Sequence, residues 1–497
     1  MLLCQVAFGI PVGGRTKRAA QLGDILSTLI AGGAPAQNIF VLEDVLGRPG
    51  AVADPDVARV AQQHGVRVVH SAVSRADMPE NNSNFGIHLA RHYKFMLDYL
   101  LVGPAAAGVA ADPDPAPAPA SPAPPALPGS AQAARASGPP FEFAVLIEDD
   151  LVLAPDFVKY FFSMSGVMAA DPTLYCVSAH QDNAFFGTSW ERVVPAPGSG
   201  PDGKAASSLD PLGFDFRRGN HFMAPGWMTS AQIYQSVVRP RWLDHRGEYL
   251  AKEELHLRNG HWDRFFDSLT GQRDCIFPAV PRIAHRGADG FTVSQRAQME
   301  LYSNLRLSSL PVDTDYGDLA RLTRKGYEQS TRDFIAQSLR LSAPEESRRF
   351  RASKLVLLVA AARSDKDEAW NALLNGHYGL IGVGGYGGWE GYVKVRGILS
   401  GAVFVQWAGN DILLVGAYSP YADLVRQKRF AIGSCRTRLL LLLLLLLLLL
   451  LCLGCRAPCL PLTLCVASLF CSFALARCFF VSRDGGDERW LLHGPRR

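Results

Sequence analysis

The amino-acid sequence predicts an α/β fold with a mostly parallel sheet and helices on both of its faces. Two observations support this prediction. Short apolar runs alternate with segments of helical spacing in the first third of the chain, and the resulting order βαβαβαβ is typical of parallel sheets. The chain has 497 residues, of which 48% are hydrophobic and 19% are charged. This composition is that of a globular protein with room for two or three domains.

The strands and helices of this first part follow one another in a regular order. The predicted strands are short apolar runs, at 1–12, 38–42, 66–70 and 143–147. Between them the spacing of apolar residues predicts helices, at 15–31, 51–64 and 85–101. Ligands of such sheets bind beyond the carboxyl ends of the strands. The residues that follow the strands are therefore candidates for a site: Arg15, Asp44 and the acidic run after Ile147.

The rest of the chain falls into regions that differ in amino-acid composition. Residues 103–140 are dominated by Ala and Pro, which predicts an extended insertion rather than a packed core. The first domain is therefore expected at 1–305, with this interruption, and a smaller α+β domain at 306–430. The predicted helices and strands of the smaller domain lie at 316–341, 364–374, 391–395 and 402–416.

The tail, residues 431–497, differs from the body. It holds thirteen consecutive leucines, at 439–451, and seven of the ten cysteines. Two interpretations stay open, a membrane span and translated non-coding sequence, and we slightly favour the second. The excess of arginine in the tail accounts for the net charge of +4. The body is nearly neutral, so its charge excludes nucleic acid as a partner.

Three carboxylates, Glu148, Asp149 and Asp150, follow the apolar strand at 143–147. Three adjacent acids at the end of a buried strand repel one another unless a cation compensates them. Hard oxygen ligands of this kind suit Mg²⁺ or Mn²⁺ holding a diphosphate. The alternative interpretation is a solvated turn that leads into a helix beginning near Asp156.

Several motifs of this chain occur in the order seen in one family of enzymes. They are LARHYKF at 89–95, VLIEDDLVLAPDFVKYF at 145–161, DPTLYCVSAHQDN at 171–183, Pro225-Gly226-Trp227, Trp262-Asp263 and the segment at 275–292. Together they resemble the N-acetylglucosaminyltransferase I family over residues 5–300. The resemblance implies a GT-A nucleotide-sugar-binding fold and an inverting transfer of GlcNAc from UDP-GlcNAc to mannose.

The resemblance also implies roles for individual residues. Asp150 would be the one direct protein ligand of Mn²⁺, with both phosphates and water completing its coordination. Glu148 and Asp149 would face the ribose and sugar hydroxyls. The nucleotide contacts would come from Arg15, Asp44, His92 and Thr292. Without the resemblance, His92 reads equally as a core histidine, Arg15 as an ordinary basic residue of a first helical turn, and Asp44 as a turn acid.

Asp263 matches the catalytic base of the family. In an inverting transfer, one carboxylate removes the proton of the acceptor hydroxyl on the face opposite the departing UDP. Asp267, one helical turn later, is the alternative for this role. Arg264 departs from the family's usual residue, and the spacing from Asp263 to Cys275 is shorter than usual.

Two cysteines of the body match a disulfide of the family. The resemblance pairs Cys176 with Cys275, as expected of a lumenal enzyme, and the alternative is two buried thiols. The family's second bridge would join the positions of Gly13 and Val45, and neither is cysteine.

The sequence therefore predicts a Golgi-membrane glycosyltransferase that acts on a mannose of a glycoprotein N-glycan in β-1,2 linkage. Its catalytic domain would be lumenal, with a sequon at Asn81 and an anchor expected upstream of Met1. One alternative is the O-mannose branch of the same family. The other is an inactive carbohydrate-binding relative that acts as a partner protein.

Overall fold

The computed structural model describes a large part of the chain. Its described residues are 5–13, 19–44, 53–71, 85–109, 141–181, 216–219, 222, 224–242, 262–270, 273–285, 307–350, 353–364, 368–378, 399–407 and 410–428. Residues 1–431 form one compact unit, and the second unit, 432–497, contains no described residue. The predictions for Arg15, Asn81, Thr292 and the strand at 391–395 lie outside the described residues, as do those for the tail.

The four strands predicted for the first domain match the first four observed strands in order, and the structure describes six further strands there. Together the strands are β1 Val6–Gly13, β2 Ile39–Asp44, β3 Arg67–His70, β4 Phe143–Leu146, β5 Leu151–Leu153, β6 Leu174–Ser178, β7 Phe216–Gly219, β8 Trp227–Ser230, β9 Asp274–Pro278 and β10 Ile283–His285. Eight of them form one sheet in the order β3-β2-β1-β4-β8-β6-β9-β7, and β5 pairs separately with β10.

The large sheet is mostly parallel, as predicted. Strands β3, β2, β1 and β4 run parallel to their neighbours, and β6 runs parallel to β9. Strand β8 lies antiparallel between β4 and β6, and β7 is antiparallel at one edge. The carboxyl ends of β1, β2 and β4 therefore share one edge of the sheet.

The first six described α-helices lie among these strands along the chain, and three more follow β10. They are α1 Ala19–Ala31, α2 Pro55–Gln63, α3 Phe85–Leu101, α4 Phe157–Ala170, α5 Ala231–Ile233, α6 Trp262–Leu269, α7 Arg324–Gln337, α8 Glu368–Asn371 and α9 Ala422–Arg426. The bounds of α3 are those that the apolar spacing predicts. Helix α2 begins later than predicted because Asp54 caps it, accepting a hydrogen bond from Asp56 N, and proline occupies the first turn.

Side chains of the central strands alternate between two cores. Val6 and Phe8 of β1 enter the core that includes the buried sides of α1, α2 and α4. Ala7, between them, enters the second core, with α3 and α6. The same alternation in β2 sends Ile39 to the first core and Phe40 to the second. This period of two places helices on both faces of the sheet.

The fully buried guanidinium of Arg218 ties β7 to its surroundings. Its Nε donates to Asp274 Oδ2 at 2.7 Å and its Nη1 to Asp171 Oδ2 at 2.6 Å. Further hydrogen bonds go to the Leu322 carbonyl, at 3.0 Å, and to the Thr173 hydroxyl. Arg218 therefore joins the large sheet to the segment that leads into α7.

A second, four-stranded sheet follows. Its strands are β11 Leu339–Leu341, β12 Lys354–Val359, β13 Ala402–Trp407 and β14 Asn410–Gly416, in the order β11-β12-β14-β13. The predicted hairpin at 402–416 forms, with β13 antiparallel to β14. Leu310, Tyr316 and Leu322 pack into the core of the large sheet instead, so the start of the region expected at 306–430 packs with the first domain.

The start of the predicted insertion at 103–140 is folded. Residues Pro104–Ala107 form a short 3₁₀ helix, and Ala107 and Val109 pack against the core beside α3. Residues 110–140 lie outside the described residues.

Cys176 of β6 lies opposite Cys275 of β9, and the two are joined by a disulfide. This bond agrees with the pairing implied by the resemblance. Among the described helices, none is both long and apolar enough to cross a membrane.

Candidate active site

Three carboxylates lie at the carboxyl end of β4, near the centre of the large sheet. Strand β4 is fully buried, and Glu148, Asp149 and Asp150 fill the connection from its end to β5. Asp149 is 3% exposed and Asp150 is 7% exposed. A solvated turn would leave these groups in water, so this alternative interpretation is wrong.

A short antiparallel ribbon brings a histidine to this group. Strand β10 pairs with β5 so that His285 lies opposite Leu151, the residue after Asp150. His285 Nε2 lies 3.4 Å from Asp150 Oδ2. Among the described residues, Glu148, Asp150 and His285 can each offer one ligand atom, all within 4.8 Å of one another. We did not predict His285 from the sequence, because only the strand pairing shows its proximity.

Burial and the neighbouring acids strongly affect the ionisation of Glu148. Burial of its carboxyl group, followed by the charges of Asp150, Asp149 and Asp263, raises the pKa of Glu148 to about 8. The Tyr93 hydroxyl donates to Glu148 Oε1 at 3.4 Å and opposes this rise only weakly. Burial and the nearby acids also raise the pKa of the Tyr93 hydroxyl. The site therefore has excess negative charge, which a divalent cation would relieve.

The predicted base lies near enough to Glu148 for its charge to act on that carboxyl group. Asp263 is the second residue of α6 and is partly buried, and its charge is among those that raise the pKa of Glu148. The first residue of α6 packs the helix against α3. The Trp262 ring stacks on the Tyr93 ring, with 3.6 Å between the ring centroids. Tyr93 thus contacts both the start of α6 and Glu148. The Asp267 side chain lies outside what the structure describes.

The predicted nucleotide contacts lie on neighbouring elements. Asp44 ends β2 and pairs with Gly13 at the end of β1, so it lies on the same edge of the sheet as the carboxylates. His92 is buried on α3, next to Tyr93, with its ring parallel to that of Phe95 at 6.2 Å. The structure therefore gathers Asp44 and the acidic cluster at one edge. The contacts of Asp44 and His92 with a nucleotide stay predictions.

The residues present fit a divalent cation. Asp150 Oδ1 is buried and accepts no hydrogen bond, which is costly for a carboxylate oxygen unless a cation or a donor meets it. The surrounding ligand atoms are carboxylate oxygens and one imidazole nitrogen, a combination that suits a divalent metal ion.

The centre of this site lies in a segment shared with known proteins. The sequence profile of the GNT-I family matches residues 138–191, which include β4, the three carboxylates, α4 and Cys176. The predicted resemblance to the N-acetylglucosaminyltransferase I family is confirmed. With this GNT-I-like segment at the centre of a mostly parallel sheet, the predicted GT-A fold is confirmed as well.

A curated relative extends the GNT-I similarity. The chain is 24% identical over 246 residues to the alpha-1,3-mannosyl-glycoprotein 2-beta-N-acetylglucosaminyltransferase of Arabidopsis thaliana. The alignment covers 48% of this chain and 45% of the relative, so the chain spans less than half of the curated relative it matches.

Similar solved structures overlap only partly with this chain. A mycobacterial protein matches at 14% identity over 55% of this chain and 64% of its own, with a TM-score of 0.25. Glucosyl-3-phosphoglycerate synthase from Mycobacterium tuberculosis, solved with Mn²⁺, UDP and glucosyl-3-phosphoglycerate, matches at 14% identity over 47% of this chain and 59% of its own, with a TM-score of 0.22. No conclusion about the site rests on these overlaps.

Proposed function

We propose that this protein is an inverting glycosyltransferase that moves GlcNAc from UDP-GlcNAc to a mannose of a glycoprotein N-glycan, in β-1,2 linkage and with Mn²⁺. One observation carries the proposal. The buried carboxylates at the end of β4, inside the GNT-I-like segment, lie close to Asp263 on α6. The name of the Arabidopsis relative supports the donor and the acceptor.

In this mechanism Asp150 would hold the cation, with Glu148 beside it. The bound cation would neutralise the negative charge that develops on the diphosphate leaving group. Asp263 accepts the proton of the acceptor hydroxyl as that oxygen attacks the anomeric carbon. The new oxygen–carbon bond forms on the face opposite the breaking bond to UDP, so the anomeric configuration inverts and no covalent enzyme intermediate forms.

The remaining predicted residues would bind the donor. Asp149 would accept hydrogen bonds from ribose or sugar hydroxyls, and Asp44 from the uracil imide. Arg15 and Thr292, which lie outside the described residues, would donate to the phosphates, and His92 would complete the nucleotide site.

Experiments can distinguish two other functions from the proposed one. The O-mannose branch would use the same donor with an O-mannosyl peptide. An inactive carbohydrate-binding relative would bind a glycan without turnover, and it would have no use for a carboxylate placed as Asp263 is. The proximity of Asp263 to the acidic cluster therefore favours an enzyme.

A direct assay tests the proposal. The full-length protein is given UDP-GlcNAc with either a mannose-terminated N-glycan or an O-mannosyl peptide, with and without Mn²⁺, and products are identified by mass spectrometry. We expect Mn²⁺-dependent addition of one GlcNAc to the N-glycan. Transfer to the O-mannosyl peptide alone would favour the O-mannose branch. Glycan binding without turnover of any donor would contradict the proposed activity.

We also propose that the catalytic domain lies in the Golgi lumen, attached to the membrane. The disulfide between Cys176 and Cys275 supports an oxidising compartment. Glycosylation of Asn81 in cells, removable by a glycosidase, would support this location. A protein recovered with free thiols at both cysteines and an unmodified Asn81 would contradict it.

A further inference from the structure

We propose that His285 binds the divalent cation together with Asp150 and Glu148, and that this site holds the cation in the absence of nucleotide. It rests on the proposed function only because both concern the same cation site. It differs from the expectation of the sequence, in which Asp150 is the one protein ligand and the phosphates are needed to complete the coordination.

The position of His285 is set by backbone pairing. Strands β5 and β10 are antiparallel, and three successive pairs place His285 opposite Leu151. At the other end of the ribbon, Ala154 N donates to the Arg282 carbonyl at 2.8 Å. The imidazole therefore projects from a paired strand rather than from a loop, which favours a fixed ligand position.

Buried side chains hold the far end of this ribbon. Arg282 is fully buried, and its Nε donates to Asp156 Oδ2 at 3.0 Å. The same carboxylate accepts from the Tyr316 hydroxyl at 2.7 Å. Asp156 directly precedes α4 and does not cap it with its side chain. These contacts connect β10, the start of α4 and the 307–323 segment.

Distances within the group fit a shared ion. Ligand atoms at ~2.1 Å from one ion lie ~3 to ~4.2 Å apart. The distance of 3.4 Å between His285 Nε2 and Asp150 Oδ2 lies in this range, and Glu148 contributes an atom within 4.8 Å of both. Small movements would bring all three onto one cation.

An independent observation points to a ligand at the same place. Only 7% of the surface of Asp150 is exposed to solvent. Its Oδ1 accepts no hydrogen bond. If His285 were merely an ion-pair partner of Asp150, it would engage Oδ2 alone and leave Oδ1 buried without compensation. A cation between the two carboxylates and the imidazole would compensate Oδ1.

The nitrogen ligand has a consequence for metal preference. Carboxylates and phosphates alone suit Mg²⁺ and Mn²⁺ alike, whereas imidazole favours transition metals. We therefore expect the protein to bind Mn²⁺ without nucleotide and to bind it more tightly than Mg²⁺.

Pulsed electron paramagnetic resonance of bound Mn²⁺ tests the inference, on the full chain with no nucleotide. We expect modulation from a directly bound nitrogen, and we expect it to change when histidine alone is labelled with ¹⁵N. The His285→Asn variant should lose this modulation and bind Mn²⁺ at least about tenfold more weakly. The His64→Asn variant is the matched control, because His64 lies at the end of α2 and hydrogen-bonds Ser27 there. It should keep both properties.

Several results would overturn the inference. One is a wild-type spectrum in which bound Mn²⁺ shows no histidine nitrogen, a result that needs no variant and so does not depend on how His285→Asn folds. Another is nitrogen modulation that persists in a folded His285→Asn protein. Absence of Mn²⁺ binding until UDP is added would also contradict it. GlcNAc transfer is assayed separately, so a nitrogen-ligated cation in a protein that transfers no GlcNAc would refute the proposed function and leave this inference standing.

Discussion

Two groups of buried acids in the first domain differ in their neighbours, because one group shares a buried guanidinium and the other consists of acids close to one another. At Arg218, the carboxylates of Asp171 and Asp274 each meet a guanidinium nitrogen within 2.7 Å. Burial outweighs the charge of Arg218 and raises the pKa of Asp274. At Asp171, hydrogen bonds from Thr173 and Arg218 outweigh burial and lower the pKa to about 2. At the end of β4, the pKa of Glu148 is instead raised to about 8.

The difference separates a structural group from a functional one. Buried acids that are fully paired with a guanidinium contribute to one folded arrangement. Buried acids whose strongest neighbours are other acids destabilise the chain, and they are retained where a ligand supplies the missing charge. Substitutions in the first group should therefore change folding, and those in the second should change catalysis and metal binding.

The largest effect is expected at Asp150. In Asp150→Ala, the cation loses the ligand at the centre of the group, and with it several kcal/mol of stabilisation of the leaving diphosphate, equivalent to a loss of about 10³-fold or more in rate. We expect transfer and Mn²⁺-dependent UDP binding to be abolished, measured by product formation and calorimetry. Asp423→Ala, at an exposed acid of α9, is the control. Unchanged Mn²⁺-dependent UDP affinity in Asp150→Ala would show that the cation binds elsewhere.

A smaller effect on catalysis is expected at Asp263. Asp263→Asn keeps the shape of the side chain but cannot accept the proton, so turnover should fall by roughly 10²–10⁴-fold while UDP-GlcNAc binding stays near normal. Turnover and donor affinity are measured separately. Asp267→Asn is the comparison, and a comparable loss there instead would move the base one helical turn along α6.

At Arg218 we expect a change in stability. Arg218→Met removes the fully buried guanidinium that two carboxylates share and leaves them, among the described residues, only contacts with Arg324 and Thr173, which should lower the free energy of unfolding by about 3–5 kcal/mol. Chemical denaturation measures this change. Arg59→Met removes an exposed pair with Asp56, whose side chains are each 56% exposed, and should cost no more than about 1 kcal/mol. Equal losses in the two variants would remove the contrast between the two groups of acids.

Tyr93 should show the smallest effect, because it adjoins the functional group without being a proposed ligand. Tyr93→Phe removes the hydroxyl that donates to Glu148 and keeps the ring stacked on Trp262. We expect kcat/KM to fall by about 3–10-fold, the equivalent of one modest hydrogen bond, with the melting temperature unchanged. Tyr93→Leu, which also loses the stack, should lower both. A full loss of activity in Tyr93→Phe would indicate that the hydroxyl itself takes part in the reaction.

Much of the fold could be predicted from local sequence patterns. The alternation of Val6, Ala7 and Phe8 and the helical spacing of 85–101 give strand and helix without knowledge of distant residues. The acidic triplet and the pair Trp262-Asp263 could be found because each is contiguous.

Other features depend on contacts between distant parts of the chain. The antiparallel insertion of β8 between β4 and β6 pairs residues 143–146 with 227–230, and no local period encodes that pairing. The same holds for His285, which reaches Asp150 across 135 positions only through the β5–β10 ribbon. Asp156 was expected near the start of a helix, but its side chain bonds Arg282 and Tyr316 rather than the helix backbone.

Gly226, in the turn that precedes β8, connects the geometry of one backbone position to metal binding. Its φ of +58° lies in the left-handed region, its carbonyl accepts from Ala179 N at 2.7 Å, and a Cβ there would lie 3.1 Å from Ile283 Cγ2. Ile283 begins the strand that ends at His285. A Gly226→Ala variant would therefore press on the strand that ends at His285, and we expect it to weaken Mn²⁺ affinity as well as lower the melting temperature. Variants at this glycine should accordingly be scored by metal affinity as well as by protein abundance, and unchanged affinity in a Gly226→Ala protein would show that the ribbon absorbs the change.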